Sequence, residues 1–395
     1  KHSEELREHV MLVGGEDVRL RIPFALALRQ RGFEISVVGT DSPTLFAKHD
    51  IEYFDYPLHR GIRPWEDVRA VRRLREIFKA QRPDVVHAFD TKPCVLAPKA
   101  AKAEFVPLRV RTVTGMGYVF SSHSPLALAL RPVYRALQRR ASRAATQTVF
   151  QNSDDQKYFL TKNLVSSDRQ TLIPGSGIDI RELERHSGSK TEKEALRSQL
   201  GLPDGPVITM IARMLRHKGV LEFMQAAALV CRERPDVNFL LVGPHATERN
   251  ESVSIAEIER HRDVVHYLGP RRDVPMLLSL SDVCVLPSYY REGVPRVLLE
   301  AGALSVPLVA TDMPGCRDVV QDKVNGHLVP ARKVKPLAMA IVDLGADPAK
   351  LASMGRAARE PVEAQFTLDA VVEAYAKIYR SETVSRKQER SRKAA

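Results

Sequence analysis

Cysteine is scarce: the 395 residues hold four, Cys94, Cys231, Cys284 and Cys316, far apart and with no CxxC pair among them. Such usage fits reduced thiols in apolar surroundings and argues against a disulfide framework or a zinc site. No uninterrupted apolar run reaches the roughly 20 residues that a membrane-spanning helix needs. No signal-peptide pattern precedes the first strand-like segment, although the chain opens on Lys1 without an initiator methionine, which leaves room for earlier residues. The expectation is a soluble or peripheral protein of the cytoplasm. Zinc-finger spacing and RNP-type aromatic motifs are also missing, which speaks against nucleic acid as a partner. No acidic cluster suggests a bound metal.

What is present is the composition of a globular protein, 44% hydrophobic, with length enough for two cores. The formal charge is +12, and the excess is uneven. Much of it falls between Arg131 and Arg143 and in the tail from Arg386 to Lys393. Basic proteins without nucleic-acid motifs suit phosphate-rich ligands and anionic lipid.

Short apolar runs alternate with helical patterns. Val10–Gly14, Phe33–Gly39 and Val85–Phe89 read as strands, with helices over Val18–Gln30 and Val68–Gln81 between them. After the polar stretch Glu184–Lys193 the pattern restarts. Val207–Ile211, Val237–Val242, Val264–Leu268, Val283–Leu286 and Pro307–Ala310 are strands, and Val220–Glu233 is a helix. Alternation of this kind implies α/β architecture with parallel sheets covered on both faces. Two doubly wound, Rossmann-like domains are expected, 1–183 and 184–366, followed by a helix over 367–382 that packs back towards the first domain and a mobile basic tail over 383–395. Ligands of such sheets bind beyond the carboxyl ends of the strands, so the cleft between the domains is the expected site.

The strongest chemical signal is Glu292-Gly293-Val294-Pro295-Arg296-Val297-Leu298-Leu299-Glu300, after the strand Val283–Leu286 and the turn Pro287-Ser288. Pro295 suits the first turn of a helix, and Gly293 permits close backbone approach or positive φ. The helix start then offers amide donors and a positive dipole end to an anion. Two carboxylates beside an anion site make sense if they grip hydroxyl groups, as on a sugar and a ribose. Surface glutamates at helix ends are common, but the Pro-Ser and Gly-Val-Pro setting weighs against that reading. The chain here resembles the family-four retaining glycosyltransferases of the GT-B fold, whose signature is two glutamates separated by seven residues. The resemblance implies that Glu292 contacts the transferred sugar and Glu300 holds the nucleotide ribose.

Arg213 and Lys218, in Ile211-Ala212-Arg213-Met214-Leu215-Arg216-His217-Lys218-Gly219, stand where a strand gives way to a loop and then a helix. A guanidinium fork beside a compact ammonium suits a diphosphate whose charge grows as the sugar leaves. This is similar to the arginine–lysine pair that family members place on the donor diphosphate; Arg216 and His217 read as solvated. Asp273-Val274-Pro275 and the preceding glycine resemble the loop framing the nucleobase, which puts Arg271 or Arg272 near the base. Gly315 resembles the glycine of a loop closing the donor pocket.

The first half carries fewer signals. Gly14-Gly15 follows a strand and opens a helix, so it can admit a phosphate or sugar near the backbone, or be a tight turn. His87-Ala88-Phe89-Asp90-Thr91-Lys92-Pro93 is similar to a segment of bacterial members that extend lipid-linked saccharides, with Lys92 meeting an acceptor phosphate and His87 either functional or structural. Thr114 stands where many relatives place a histidine near the donor sugar. Retaining members are thought to use the leaving phosphate as the base, so its loss does not exclude transfer. The stretch Tyr118–Thr146, with Leu126, Leu128 and Leu130 followed by Arg131, Arg135, Arg139, Arg140 and Arg143, reads as an interfacial segment on anionic lipid or as a charged helix face.

The resulting expectation is transfer of a hexose or N-acetylhexosamine from a nucleoside-diphosphate sugar, UDP before GDP, to a lipid-linked saccharide. No cofactor or metal is needed, because Arg213 and Lys218 replace Mg²⁺ on the diphosphate. The enzyme would lie peripherally on the inner membrane face. Rivals are a nucleotide-sugar 2-epimerase on the same fold, a glycoside hydrolase, which has no need of a diphosphate site, and a non-catalytic nucleotide-sugar-binding subunit.

Overall fold

The computed structural model of the chain describes residues 7–394 except 16, 60, 62, 122–123, 247–250 and 346. The side chains of residues 118, 121 and 382–395 fall outside it too, so the expected lipid contacts of Tyr118 and of the basic tail lie outside the described residues. The chain divides into two compact units, 1–177 with 368–395 and 178–367.

In the first unit, β1 (His9–Val13), β2 (Glu34–Gly39), β3 (Glu52–Asp55), β4 (Val85–Ala88), β5 (Leu108–Val113), β6 (Gln147–Phe150) and β7 (Gln170–Leu172) form one sheet. Its order is β3-β2-β1-β4-β5-β6-β7 and every pairing is parallel. The connecting helices are α1 (Ile22–Gln30), α2 (Pro43–Ala47), α3 (Pro64–Gln81), α4 (Pro93–Ala103), α5 (Tyr118–Ser121), α6 (Pro125–Ala144) and α7 (Ser153–Thr161). Val85 and Val86 of β4 are buried on both faces of the sheet, which is why the strand reads as a continuous apolar run. Proline at the first positions of α1, α3, α4 and α6 costs no hydrogen bond there, because those amides have no partner within the helix.

The second unit repeats the design with β8 (Val207–Ile211), β9 (Asn238–Val242), β10 (His266–Tyr267), β11 (Val283–Leu286), β12 (Leu308–Thr311) and β13 (Gly326–Val329). The order is β10-β9-β8-β11-β12-β13, again parallel. Its helices are α8 (Ile180–Arg185), α9 (Lys190–Gln199), α10 (Val220–Glu233), α11 (Ile255–Glu259), α12 (Val274–Leu280), α13 (Arg296–Ala303), α14 (Val334–Gly345) and α15 (Pro348–Gln365). In both sheets the chain starts centrally, winds to one edge, then returns to continue on the other side. The points of reversal, β1/β4 and β8/β11, are where doubly wound sheets open a crevice for ligands.

The break between units falls at Gly177/Ile178, earlier than the polar stretch 184–193 suggests. Ile178 is fully buried and its amide donates to the Phe366 carbonyl at 2.8 Å, so it belongs to the second core. The polar residues are surface helix: Ser189 and Glu192 form a capping box at the start of α9. The last helix, α16 (Leu368–Ala394), returns to the first unit, where Tyr375 and Tyr379 enter its core. The backbone stays helical through the segment expected to be mobile; its Lys, Arg, Gln and Glu residues are good helix formers despite their polarity. Among the described residues no helix is long and apolar enough to cross a membrane.

Candidate active site

At the reversal point of the second sheet, the loops leaving β8 and β11 run together. Gly219, at φ +79°, makes this possible: a Cβ there would lie 2.1 Å from the Pro287 carbonyl oxygen. The Tyr289 amide donates to the His217 carbonyl at 2.9 Å, locking one loop to the other. On this frame Lys218 Nζ donates to Glu292 Oε1 at 2.7 Å, with both side chains more than four-fifths buried. The Ser288 hydroxyl has one proton, which points between the same Glu292 oxygen at 2.9 Å and the His217 carbonyl at 3.2 Å. Thr311, at the end of β12, donates to the Ser288 carbonyl.

Burial pushes the Glu292 carboxyl up, but the nearby Lys218 charge, its hydrogen bond and that of Ser288 outweigh it and hold the group below its ordinary value. Glu292 is thus an anion, fixed in place and aimed by two donors. Arg213 is exposed in the loop that carries Lys218. Glu300 lies inside α13 and its Oε1 accepts from Arg296 Nε at 2.7 Å, with the carboxylate mostly buried. A carboxylate has room for further donors, so that pair does not exhaust it. The structure therefore brings Lys218 and Glu292 into contact, with Arg213 in the same loop and Glu300 one helix segment on.

Other expected site residues take different parts. Pro295 is the N-cap of α13, one residue before the first turn, and its carbonyl receives the Leu298 amide at 3.2 Å. The Val294 side chain is in the core, so only its backbone can meet a ligand. Gly315 has φ +83°, and a Cβ on it would fall 1.5 Å from the Gly293 carbonyl oxygen. Backbone packing of the two loops accounts for Gly315. Arg271 is committed to Asp273 by a two-pronged pair, Nε to Oδ1 at 2.8 Å and the second nitrogen to Oδ2 at 2.5 Å. Arg272 is exposed and lines a separate cavity with Arg185 and His186. Arg216 and His217 are not merely solvated: Arg216 donates to Glu257 at 2.7 Å, and the His217 ring lies tilted against Tyr290 with centroids 4.5 Å apart.

In the first unit the reversal point is already furnished. The Gly15 amide donates to Asp90 Oδ2 at 3.1 Å, so a carboxylate sits where a phosphate was expected. Gly14 is required by packing, since a Cβ would meet Val18 Cγ2 at 2.6 Å. His87 is fully buried, with Tyr379 Oη 2.5 Å from Nδ1 and Thr112 Oγ1 2.7 Å from Nε2. Burial, and to a lesser extent Arg21, pushes its pKa well below the usual value, so it is a neutral core residue and not a substrate ligand. Lys92 donates to the carbonyls of His59 and Gly61, each at 2.7 Å, and to Asp67 at 2.5 Å. Thr114 is half-buried just past β5.

Comparison with known proteins meets this geometry from outside. The model for glycosyl transferases group 1 matches residues 192–361, and that for glycosyltransferase family 4 matches 24–182. The chain belongs to the GT-B glycosyltransferases. It is 27% identical, over 93% of its length and 96% of the relative's, to N,N'-diacetylbacillosaminyl-diphospho-undecaprenol alpha-1,3-N-acetylgalactosaminyltransferase of Campylobacter jejuni. It is 26% identical, over 86% and 88%, to UDP-Gal:alpha-D-GlcNAc-diphosphoundecaprenol alpha-1,3-galactosyltransferase of Escherichia coli. The glycosyltransferase shares its fold with Anabaena HepE in complex with UDP, at TM-score 0.77 and 20% identity over 95% and 100% of the two chains. Sequence reasoning took Ser288 for a turn residue and left Thr311 just outside the strand Pro307–Ala310. Their one signal was position, each at the carboxyl end of a central strand.

Proposed function

We propose that the enzyme moves a hexose or N-acetylhexosamine from UDP-sugar to a lipid-linked saccharide, with retention at the anomeric carbon, while attached peripherally to the inner face of a membrane. The observation that carries this reading is the Lys218–Glu292 contact at the crevice of the second sheet, beside Arg213. Lys218 and Arg213 offset the charge that develops on the departing diphosphate, the part a metal plays elsewhere, and no metal or cofactor is assigned. Glu292 orients the sugar through its hydroxyls, and Glu300 grips the ribose. Thr114 supplies no imidazole, so the leaving phosphate serves as base. Both relatives above are named for undecaprenol-diphosphate-linked acceptors, which supports the acceptor class. The same names weigh against a 2-epimerase.

Calorimetry with free UDP tests the division of roles. Glu300→Gln is expected to weaken UDP binding about tenfold or more, the cost of a hydrogen bond to a charged group. Glu292→Gln is expected to leave UDP binding nearly unchanged and to impair transfer. Equal losses of UDP affinity in the two variants would refute the assignment.

A further inference from the structure

On one face of the first sheet, α4 lies between α3 and α6 and packs against both. The two outer helices stand over it and leave a cavity of about 330 Å³, within the range of small-molecule sites. Val95 and Leu96 of α4, Val68 and Val71 of α3, and Leu137 and Ala141 of α6 give it an apolar lining. Val68 and Leu137 are 63% and 42% exposed, so the apolar surface runs out of the cavity into solvent. It continues as Val133 along α6 and as Trp65, 84% exposed, at the start of α3. Two further lining residues, Lys99 and Arg140, are exposed cations. Asp67 also lines it, and Asp67 is the carboxylate bonded to Lys92 at the start of α4.

We propose that this groove holds the hydrocarbon tail of the acceptor lipid, with the phosphate end at Lys92. The inference rests on the lipid-linked acceptor proposed above and adds where its tail is held. An apolar trough with cations on its lining and an ammonium at one end complements a molecule that is hydrocarbon along its length and anionic at its head. A soluble sugar acceptor leaves such a surface unused. A partner helix is a poorer match, because the lining carries two exposed cations and a single carboxylate, which is already paired with Lys92. Lys92 now spends its three protons on His59, Gly61 and Asp67; a phosphate displaces the two carbonyls at little cost, because both are exposed to water.

The test compares dodecyl diphosphate with butyl diphosphate, both below micelle-forming concentration, by calorimetry on the full chain. Each methylene seated in an apolar site contributes about fourfold in affinity, so seating only about three or four of the eight extra methylenes makes the dodecyl compound bind on the order of 100-fold tighter. The double variant Val68→Gln, Leu137→Gln, made at two exposed positions, should lose most of that ratio while keeping butyl diphosphate and UDP affinity. Leu137→Trp, which fills the groove without adding charge, should lose it too. Equal binding of a neutral dodecyl glycoside would overturn the phosphate end at Lys92, and an unchanged ratio in both variants or no ratio in the wild type would overturn the tail site, while leaving the donor chemistry standing. So would concentration-dependent dimerisation abolished by the double variant, which would make a second copy the occupant. Loss of UDP binding in the wild type would instead strike the proposed function.

Discussion

At the scale of single residues, two buried groups are held in opposite charge states, although the pKa of each lies below its ordinary value. His87 is neutral and stays so, because burial depresses its pKa well below 6.5. Below that value the unfolded chain takes up a proton that the folded chain refuses, so stability present above pH 6.5 is lost as pH falls. The loss approaches about 1.4 kcal/mol per pH unit for one such group. His87→Gln, which can still bond Tyr379 or Thr112, should show a shallower fall in urea midpoint between pH 6.5 and pH 5 than wild type. Identical slopes would remove His87 from the account. Glu292 is an anion because Lys218 and Ser288 overcome its burial. In Lys218→Met burial prevails and the carboxyl rises, so the acidic limb of the kcat/KM profile should move to higher pH. Activity should also fall by roughly 10²–10³, the usual loss for one donor to a developing charge. An acidic limb that stays in place would mean that Glu292 does not set it.

At the scale of elements, the site depends on loops that approach more closely than any side chain permits. Gly315 combines positive φ with a Cβ position inside the Gly293 carbonyl. Gly315→Ala should therefore cost about 1–3 kcal/mol from overpacking alone, with the left-handed backbone adding about 1–2 kcal/mol. Denaturant unfolding of the second unit, followed with and without UDP, measures this. A variant as stable as wild type would show that the loop can move aside. Pattern reading does well on the elements themselves: β8, β11 and α10 begin and end where their apolar runs do. It does worse where a surface helix is polar. The stretch Glu184–Lys193 looks like a linker because α8 and α9 bury little, whereas Ile178, one isolated apolar residue, marks the real start of the second core.

At the scale of the whole molecule, the net charge of +12 bears on attachment to an anionic surface. The arginines of α6 are not equivalent. Arg135 donates to Tyr158 Oη at 2.8 Å and Arg139 to the Asn163 carbonyl at 3.1 Å, so both serve packing against α7 and the turn at its end. Arg140 and Arg143 are exposed, as are Leu126 and Leu128 nearer the helix start. The protein should sediment with anionic vesicles at low salt and not with neutral ones. Salt should release it, since the screening length falls from about 10 Å at 0.1 M to about 3 Å at 1 M. Arg140→Glu with Arg143→Glu should weaken the binding, each lost cation being worth about 1 kcal/mol. Arg135→Glu should instead lower the melting temperature. Wild type left in the supernatant at low salt would end the membrane reading.

The amino-acid sequence by itself determined the architecture and the place of the loops that carry Lys218 and Glu292. Periodicity is a local property, and a continuous apolar strand followed by an amphipathic helix has few ways to bury its faces other than a doubly wound sheet. Glu292 and the Arg213–Lys218 loop come together because each follows the carboxyl end of a central strand, where the backbone alone brings them to the crevice; Glu300 is carried inside α13. Only the tertiary structure decided which polar residues are taken up by partners within the protein. His87 and Gly15 look available in one dimension, yet each has a partner supplied from elsewhere in the chain, Tyr379 and Asp90. The His87 partner lies 292 residues away, on the helix that returns to the first unit. A hydrogen bond is settled by distances of a few tenths of an ångström between atoms brought together by packing, and no spacing along the chain encodes that.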